Sequence, residues 1–334
     1  MRSTKIIQGI DSHTAGCPLR FITSGFGPIR GRSMAEKRAD LMSRDELRRL
    51  VLFEPRGSFN MPAAVLTEAC SEDADIGMLI LEPDTYPPMC GHCAMAVATI
   101  AVEAGYVPAS EGVTVVRLDT PAGVVPAHVE VKGDRAASVT LEMPPSFLYQ
   151  QDVVLETTTR GPVRGHIAFG GDFYLLVEAA NLGLELEPEQ SWQLVAAASE
   201  LRTALANVPV RHPTLPHVKE IYQIELIGPG DGISDARNVV VCPPQVIDRS
   251  PCGTGTAARM AMLYGLRKMG VGDTLRHAGI LDTVFVGKIT GSTNLGGTSA
   301  ITCTVTGSAY ITGTFNFLLD PHDPFPAGYR LTGV

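Results

Sequence analysis

The chain has 334 residues, of which 45% are hydrophobic and 19% charged; it has enough apolar material for one large core or two smaller ones, which argues against intrinsic disorder. A net charge of −8 argues against binding to nucleic acid. The apolar runs are too short to cross a bilayer and the first residues lack an apolar signal segment, so we expect no membrane association and a cytoplasmic location.

The predicted elements are mostly short strands separated by glycine and proline. Apolar and β-branched runs predict strands at 5–10, 75–81, 113–118, 127–131, 138–141, 173–177, 221–227, 238–241, 283–286 and 300–305. Helices are predicted at 43–52, 90–104, 188–206 and 255–268, the first with Ser43 and Glu46 as a capping box. Strands outnumber helices and do not alternate with them, so the expected class is α+β and a doubly wound sheet is disfavoured.

A weak internal repeat relates the two halves of the chain. The segment PMCGHCA (88–94) aligns with SPCGTGTA (250–257) on the Cys-Gly pair, and a helical stretch rich in Ala and Met follows each. The repeat predicts two like lobes, each with a cysteine at a helix start. We place the first lobe at 1–150, completed by the tail at about 322–334, and the second at 151–321, with the active site between them.

The two Cys-Gly turns predict thiol acid/base chemistry. Unpaired amides at a helix start lower a thiol pKa and can bind a carboxylate, and Gly91 and Gly253 allow a ligand to approach the backbone. If the lobes face each other, Cys90 and Cys252 can remove a proton from the α-carbon of an amino acid on one face and return it on the other. This scheme requires no cofactor and no metal.

Four segments resemble the proline racemase family, which includes proline racemase, 4-hydroxyproline 2-epimerase and trans-3-hydroxy-L-proline dehydratase. MCGH (89–92) and DRSPCGTGT (248–256) resemble its two active-site signatures, and DSHTAG (11–16) and FGG (169–171) are also similar. The resemblance implies a diaminopimelate-epimerase-like fold, with two pseudo-symmetric lobes each built as a β-barrel-like sheet around a central helix, and a homodimer.

The resemblance also implies residue roles. The two acid/base thiols match Cys90 and Cys252. The contacts to the substrate carboxylate and amine match Gly91, His92, Gly253 and Thr254, and the group that holds the ring nitrogen matches Asp248. Because a dehydratase of this family typically replaces one thiol by Ser or Thr, the two cysteines favour epimerisation.

Two cysteines depart from the family pattern, and the second bears on the substrate. Cys17 stands where family members usually have Glu, and Cys242 stands where proline racemases have a Phe six residues before Asp248. A smaller pocket wall at Cys242 leaves room for a ring hydroxyl, so the chain is most similar to 4-hydroxyproline 2-epimerases. We therefore expect interconversion of trans-4-hydroxy-L-proline and cis-4-hydroxy-D-proline, with proline racemase, 3-hydroxyproline epimerase and dehydratase activities as alternatives.

Other interpretations of these residues remain open. CGHC (90–93) is also a dithiol motif, so a thiol-disulfide oxidoreductase is an alternative, although no Trp precedes Cys90 and the second Cys-Gly turn lacks a second thiol. A zinc site there would need further ligands.

The other cysteines and histidines have simpler interpretations. Buried packing positions are expected for Cys17, Cys70, Cys93 and Cys303. A solvated loop is expected for His212 and His217, and His13 could either contact substrate or hydrogen-bond a turn.

Overall fold

The computed structural model describes residues 5–58, 60–243, 245–320 and 322–331. Over these ranges the chain forms sixteen strands, five α-helices and three short 3-10 segments. None of the described helices is long and apolar enough to cross a membrane. The predicted α+β class is confirmed.

Each predicted strand overlaps an observed one, and the structure adds six strands that the patterns do not predict. In chain order the strands are β1 (Lys5–Thr14), β2 (Cys17–Ser24), β3 (Ala63–Thr67), β4 (Ile76–Leu81), β5 (Gly112–Thr120), β6 (Gly123–Lys132), β7 (Arg135–Thr157), β8 (Gly161–Phe169), β9 (Phe173–Glu178), β10 (Ile221–Pro229), β11 (Ala236–Cys242), β12 (Val246–Ile247), β13 (Thr274–Ala278), β14 (Val284–Leu295), β15 (Thr298–Gly307) and β16 (Ala309–Leu319). The helices are α1 (Met34–Met42), α2 (Glu46–Leu52), α3 (Gly91–Glu103), α4 (Ser191–Ala204) and α5 (Gly253–Gly265).

The predicted capping box at Ser43 and Glu46 is wrong, because a helix that was not predicted, α1, ends just before Ser43, and α2 begins after Asp45 without a side-chain cap. Ser43 is the C-cap of α1, and its backbone N–H donates to Ala39 O at 3.0 Å. The cap that forms is Ser33, whose side chain accepts a hydrogen bond from Glu36 N at 3.2 Å. The same Ser-x-x-Glu spacing occurs at both places, and α1 uses the first.

The chain divides into two compact units, the first of which comprises the described residues up to Leu141 and from Ser308 onward. Its eight strands pair in the order β16-β1-β2-β3-β4-β5-β6-β7, with β7 contributing residues 135–141. The β2–β3 and β4–β5 pairs are parallel and the other five are antiparallel. The central helix α3 packs against β1, β2, β3, β5, β6 and β16.

The second unit comprises residues 142–307. Its strands pair in the order β7-β8-β9-β10-β11-β13-β14-β15, and β15 also pairs with β7, so the strands form a ring. The β9–β10 and β11–β13 pairs are parallel and the others along this path are antiparallel. The central helix α5 packs against β8, β9, β14 and β15.

The two units repeat one architecture. In each unit eight strands form the main pairing path, with the two-residue β12 added beside β11 in the second, and the third and fifth pairings of each path are the parallel ones. Both central helices have 13 residues and begin directly after a cysteine. Every residue of α3 from Cys93 to Val102 is buried, as expected for a helix that is apolar on all sides. The predicted pair of sheets around central helices is confirmed.

The observed boundaries differ from those placed by sequence at 150/151 and 321/322. The first falls inside β7, after Leu141. The second falls before β16, which pairs with β1 along its length, from Lys5 opposite Leu319 to Thr14 opposite Ala309, and so belongs to the first unit. Residues 1–4 and 332–334 of the predicted ranges lie outside the described residues.

Candidate active site

Cys90 is the N-cap residue of α3 and is partly exposed. Its backbone is extended, with φ −147° and ψ 127°. Its side chain makes no capping hydrogen bond to the backbone N–H groups of the first helical turn. At Gly91 an added Cβ would meet its nearest neighbour, Leu141 Cδ1, only at 4.0 Å. The start of α3 therefore leaves space beside backbone N–H groups that favour a negative charge.

The His92 side chain lies among three thiols. Cys90 Sγ is 3.1 Å from His92 Nδ1, whereas Cys93 Sγ and Cys17 Sγ are 3.4 and 3.6 Å from Nε2. Thr14 anchors the same residue by donating from Oγ1 to the His92 carbonyl at 2.9 Å. Cys93 and Cys17 are buried as predicted, but no sequence pattern indicated that either contacts His92.

These contacts favour a negative charge on Cys90 and a positive charge on His92. The hydrogen bond from Cys93 and then the charge of His92 hold the pKa of Cys90 well below its usual value. Burial opposes a charge on His92, but the thiols of Cys17, Cys90 and Cys93 raise its pKa well above the usual range. The pKa of Cys93 is raised by burial and by its hydrogen bond to Cys90. The geometry thus favours a Cys90 thiolate beside a His92 imidazolium.

Ligand atoms of Cys90, His92 and Cys93 lie within 4.8 Å of one another, the spacing of a potential metal site. The two sulfurs, however, approach opposite nitrogens of the imidazole ring. An ion bound along the lone pair of either nitrogen would therefore be turned away from one of the thiols. The arrangement suits a thiol and imidazole network better than a metal centre.

Cys252 is the buried N-cap residue of α5, the counterpart of Cys90 in the second unit. Its N–H donates to Ser250 Oγ at 3.1 Å, and its Sγ accepts from Gly255 N at 3.4 Å. Its φ of 62° lies in the left-handed region, where a residue with a Cβ is strained. Gly253 again leaves space, since an added Cβ would lie 3.9 Å from its nearest neighbour, Met143 Cε.

Tyr174 was not predicted as a site residue. Its buried hydroxyl lies 3.3 Å from Cys252 Sγ and 2.5 Å from Thr254 Oγ1. Gly170 lies against the same turn, because a Cβ there would be 2.1 Å from Thr254 O. The one sequence signal for Tyr174 is its position just after the FGG segment.

Asp248 lies in the approach to Cys252. Its Oδ1 accepts hydrogen bonds from the N–H and the hydroxyl of Ser250, both at 2.8 Å, and its own N–H donates to Val240 O at 2.9 Å. Burial, and then the charge of Asp248, raise the pKa of Cys252 well above its usual value. Cys242, the predicted wall residue, ends β11 and is half-buried. The two N-cap thiols therefore differ, with Cys90 favouring thiolate and Cys252 favouring thiol.

A buried polar network supports the Cys252 turn. Asn238 Nδ2 donates to both Glu225 Oε1 and Pro251 O at 2.8 Å. Thr256 Oγ1 donates to Cys252 O at 2.7 Å and lies 3.0 Å from Nδ1 of His277. Burial raises the pKa of Glu225 to about 8 and lowers that of His277 to about 3, so both are neutral near pH 7. The sequence did not indicate this network.

Of the three histidines that the sequence analysis singled out beyond His92, two have structural contacts. His13 Nδ1 accepts from Gly16 N at 3.2 Å, the turn contact that was one of its two expected roles. The solvated loop expected for His212 is wrong, because its ring is buried and packs on Phe169 with centroids 4.5 Å apart. His217 is exposed.

Comparison with a solved structure identifies the fold class of the protein. A hydroxyproline epimerase from Agrobacterium vitis, solved with bound trans-4-hydroxy-L-proline, matches with a TM-score of 0.90 and 32% identity, covering 100% of this chain and 97% of that one. The fold is diaminopimelate-epimerase-like, as the resemblance implied.

Sequence comparison then gives the family. A sequence model of the proline racemase family matches residues 9–330. A proline racemase of Clostridioides difficile is 38% identical over 99% of this chain and 100% of its own. A 4-hydroxyproline 2-epimerase of Streptosporangium roseum is 37% identical with the same coverage. The chain belongs to the proline racemase family and is an isomerase of the racemase and epimerase kind.

Proposed function

We propose that the protein epimerises hydroxyproline at Cα, interconverting trans-4-hydroxy-L-proline and cis-4-hydroxy-D-proline without a cofactor. The observation that carries the proposal is the matched placement of Cys90 and Cys252 at the N-caps of the two central helices. Their opposite protonation preferences supply the base and the acid that an inversion needs.

In the proposed reaction, the Cys90 thiolate takes the α-proton from one face of the substrate and the Cys252 thiol gives a proton to the other. The products are a Cys90 thiol, a Cys252 thiolate and the inverted amino acid, and the reverse reaction exchanges the two roles. The N–H groups after each cysteine stabilise negative charge that spreads onto the substrate carboxylate. Tyr174 and Gly255 N stabilise the Cys252 thiolate as it forms.

The proposed substrate contacts are those that the resemblance to the proline racemase family implies. Gly91, His92, Gly253 and Thr254 bind the carboxylate and amine, and Asp248, oriented by its two bonds to Ser250, holds the ring nitrogen. Cys242 in place of a larger side chain supports a substrate that carries a ring hydroxyl. By the same resemblance we propose a homodimer, which light scattering coupled to gel filtration tests.

The mechanism is tested by following deuterium incorporation at Cα of trans-4-hydroxy-L-proline in D2O, together with its inversion. Cys90→Ser and Cys252→Ser are each expected to slow inversion by about 10²- to 10⁴-fold. Cys70→Ser, which changes a half-buried cysteine of the first unit, is the control. Undiminished inversion in either of the first two variants would overturn the two-thiol mechanism.

The substrate is tested with a panel of L-proline, trans-3-hydroxy-L-proline and trans-4-hydroxy-L-proline. We expect the highest kcat/KM for the 4-hydroxy compound. A higher value for proline or for epimerisation of the 3-hydroxy compound would replace the proposed substrate, and release of a cyclic imine from trans-3-hydroxy-L-proline would identify a dehydratase.

A further inference from the structure

Cys93 has no task in the proposed reaction, yet its sulfur lies within 4.8 Å of the sulfur of Cys90. The two residues begin α3 with the spacing Cys-x-x-Cys. Cys90 is partly exposed, whereas Cys93 is 0% exposed. Cys90 is therefore the more accessible of the two cysteines, and Cys93 is shielded from solvent.

We propose that Cys90 and Cys93 form a reversible disulfide that switches the enzyme off when low-molecular-weight disulfides accumulate. The loss of activity rests on the proposed function of Cys90, whereas the disulfide itself does not.

The reaction proceeds by two thiol-disulfide exchanges. The Cys90 thiolate attacks a small disulfide such as oxidised glutathione, forms a mixed disulfide and releases one small thiolate. Cys93 then gives up its proton and attacks the Cys90 sulfur, which closes the Cys90–Cys93 bond and releases the second small thiol. Two protein thiols are oxidised and one disulfide is reduced to two thiols.

The surroundings of the pair favour both steps. The helix start and His92, whose Nδ1 is 3.1 Å from Cys90 Sγ, stabilise the attacking thiolate. The Cys93 sulfur lies within 4.8 Å of the sulfur that it must attack. Cys17 is the competing partner, since its sulfur lies 3.6 Å from the same ring, at Nε2.

The test uses the full chain incubated with oxidised glutathione, quenched with acid, labelled at free thiols and mapped by peptide mass spectrometry. Deuterium exchange into trans-4-hydroxy-L-proline is measured before oxidation, after it, and after dithiothreitol. We expect a Cys90–Cys93 link, at least about a tenfold loss of exchange activity, and recovery on reduction.

Each variant is compared with its own reduced form. Cys17→Ser should still form the link, whereas Cys93→Ser should stop at a glutathione adduct on Cys90. A Cys90–Cys17 link, or no link in the native chain, would overturn the proposal. A Cys90–Cys93 link in a chain whose reduced form has no exchange activity would support the disulfide and refute the proposed function instead.

Discussion

His92 presents Nδ1 to the sulfur of Cys90 at 3.1 Å, while its other nitrogen faces two further thiols. A histidine between three sulfurs keeps its proton more readily than one in water, and its charge then stabilises a neighbouring thiolate. The contact links the first turn of α3 to the reactivity of Cys90.

Replacing His92 should therefore make Cys90 less reactive. In His92→Asn the pKa of Cys90 should rise, although the hydrogen bond from Cys93, the larger cause of its lowering, remains. The pH midpoint of iodoacetamide alkylation at Cys90 should move up by about one unit or more. His128→Asn, on β6, is the control, and an unchanged midpoint in His92→Asn would contradict the assigned charge.

Tyr174→Phe should slow inversion. The variant removes the hydroxyl 3.3 Å from Cys252 Sγ, which donates to the thiolate that forms there during the reaction. A hydrogen bond to a charged group contributes about 1.5–3 kcal/mol, which corresponds to roughly a tenfold or greater loss of kcat. Tyr149→Phe, on β7, should leave kcat unchanged, and equal rates for both variants would exclude this role for Tyr174.

The Glu225 and His277 pair predicts an unusual dependence of stability on pH. Glu225 has a pKa of about 8, raised from 4.5 by burial, so its contribution is complete below pH 4.5 and is lost as the pH rises to 8. His277 has a pKa of about 3, lowered from 6.5, so its contribution is complete above pH 6.5 and is lost as the pH falls to 3. The two slopes oppose each other between pH 4.5 and 6.5.

Of these two slopes, only that of Glu225 remains between pH 6.5 and 8. The free energy of unfolding should fall there by about 1.4 kcal/mol per pH unit through this group, or about 2 kcal/mol over the interval. Glu225→Gln keeps an oxygen for Asn238 and cannot ionise, so it should lack this loss. Urea unfolding of both proteins at pH 6.5 and 8 measures the difference, and parallel changes would show that Glu225 is already ionised in the folded state.

Gly170→Ala should displace the start of α5. The added Cβ would lie 2.1 Å from Thr254 O and 2.4 Å from Ala258 N, both backbone atoms that cannot move alone. We expect a loss of about 1–3 kcal/mol in stability and a larger proportional loss of kcat, measured by unfolding and by inversion. Gly313→Ala, which meets nothing within 4 Å, is the control. Native activity in Gly170→Ala would show that the turn tolerates the shift.

The parts of the site that the sequence predicted are local. Cys90 and Cys252 precede apolar helices, so their N-cap positions follow from the adjoining residues. Tyr174 reaches Cys252 across 78 positions, and its contact depends on strand pairing that no short pattern encodes. The β16 strand was missed for a similar reason, since its partner β1 lies at the other end of the chain.

The long strand β7 bears on the evolutionary origin of the chain and on whether its two units can be produced separately. It is the last strand in the pairing order of the first unit and the first strand in that of the second. A truncated protein that stops or starts at Leu141 would therefore contain only part of a continuous strand. The same order of parallel and antiparallel pairs in both units is the pattern expected of a duplicated and fused ancestor. Circular permutants opened at the surface turns should therefore fold more readily than separated halves.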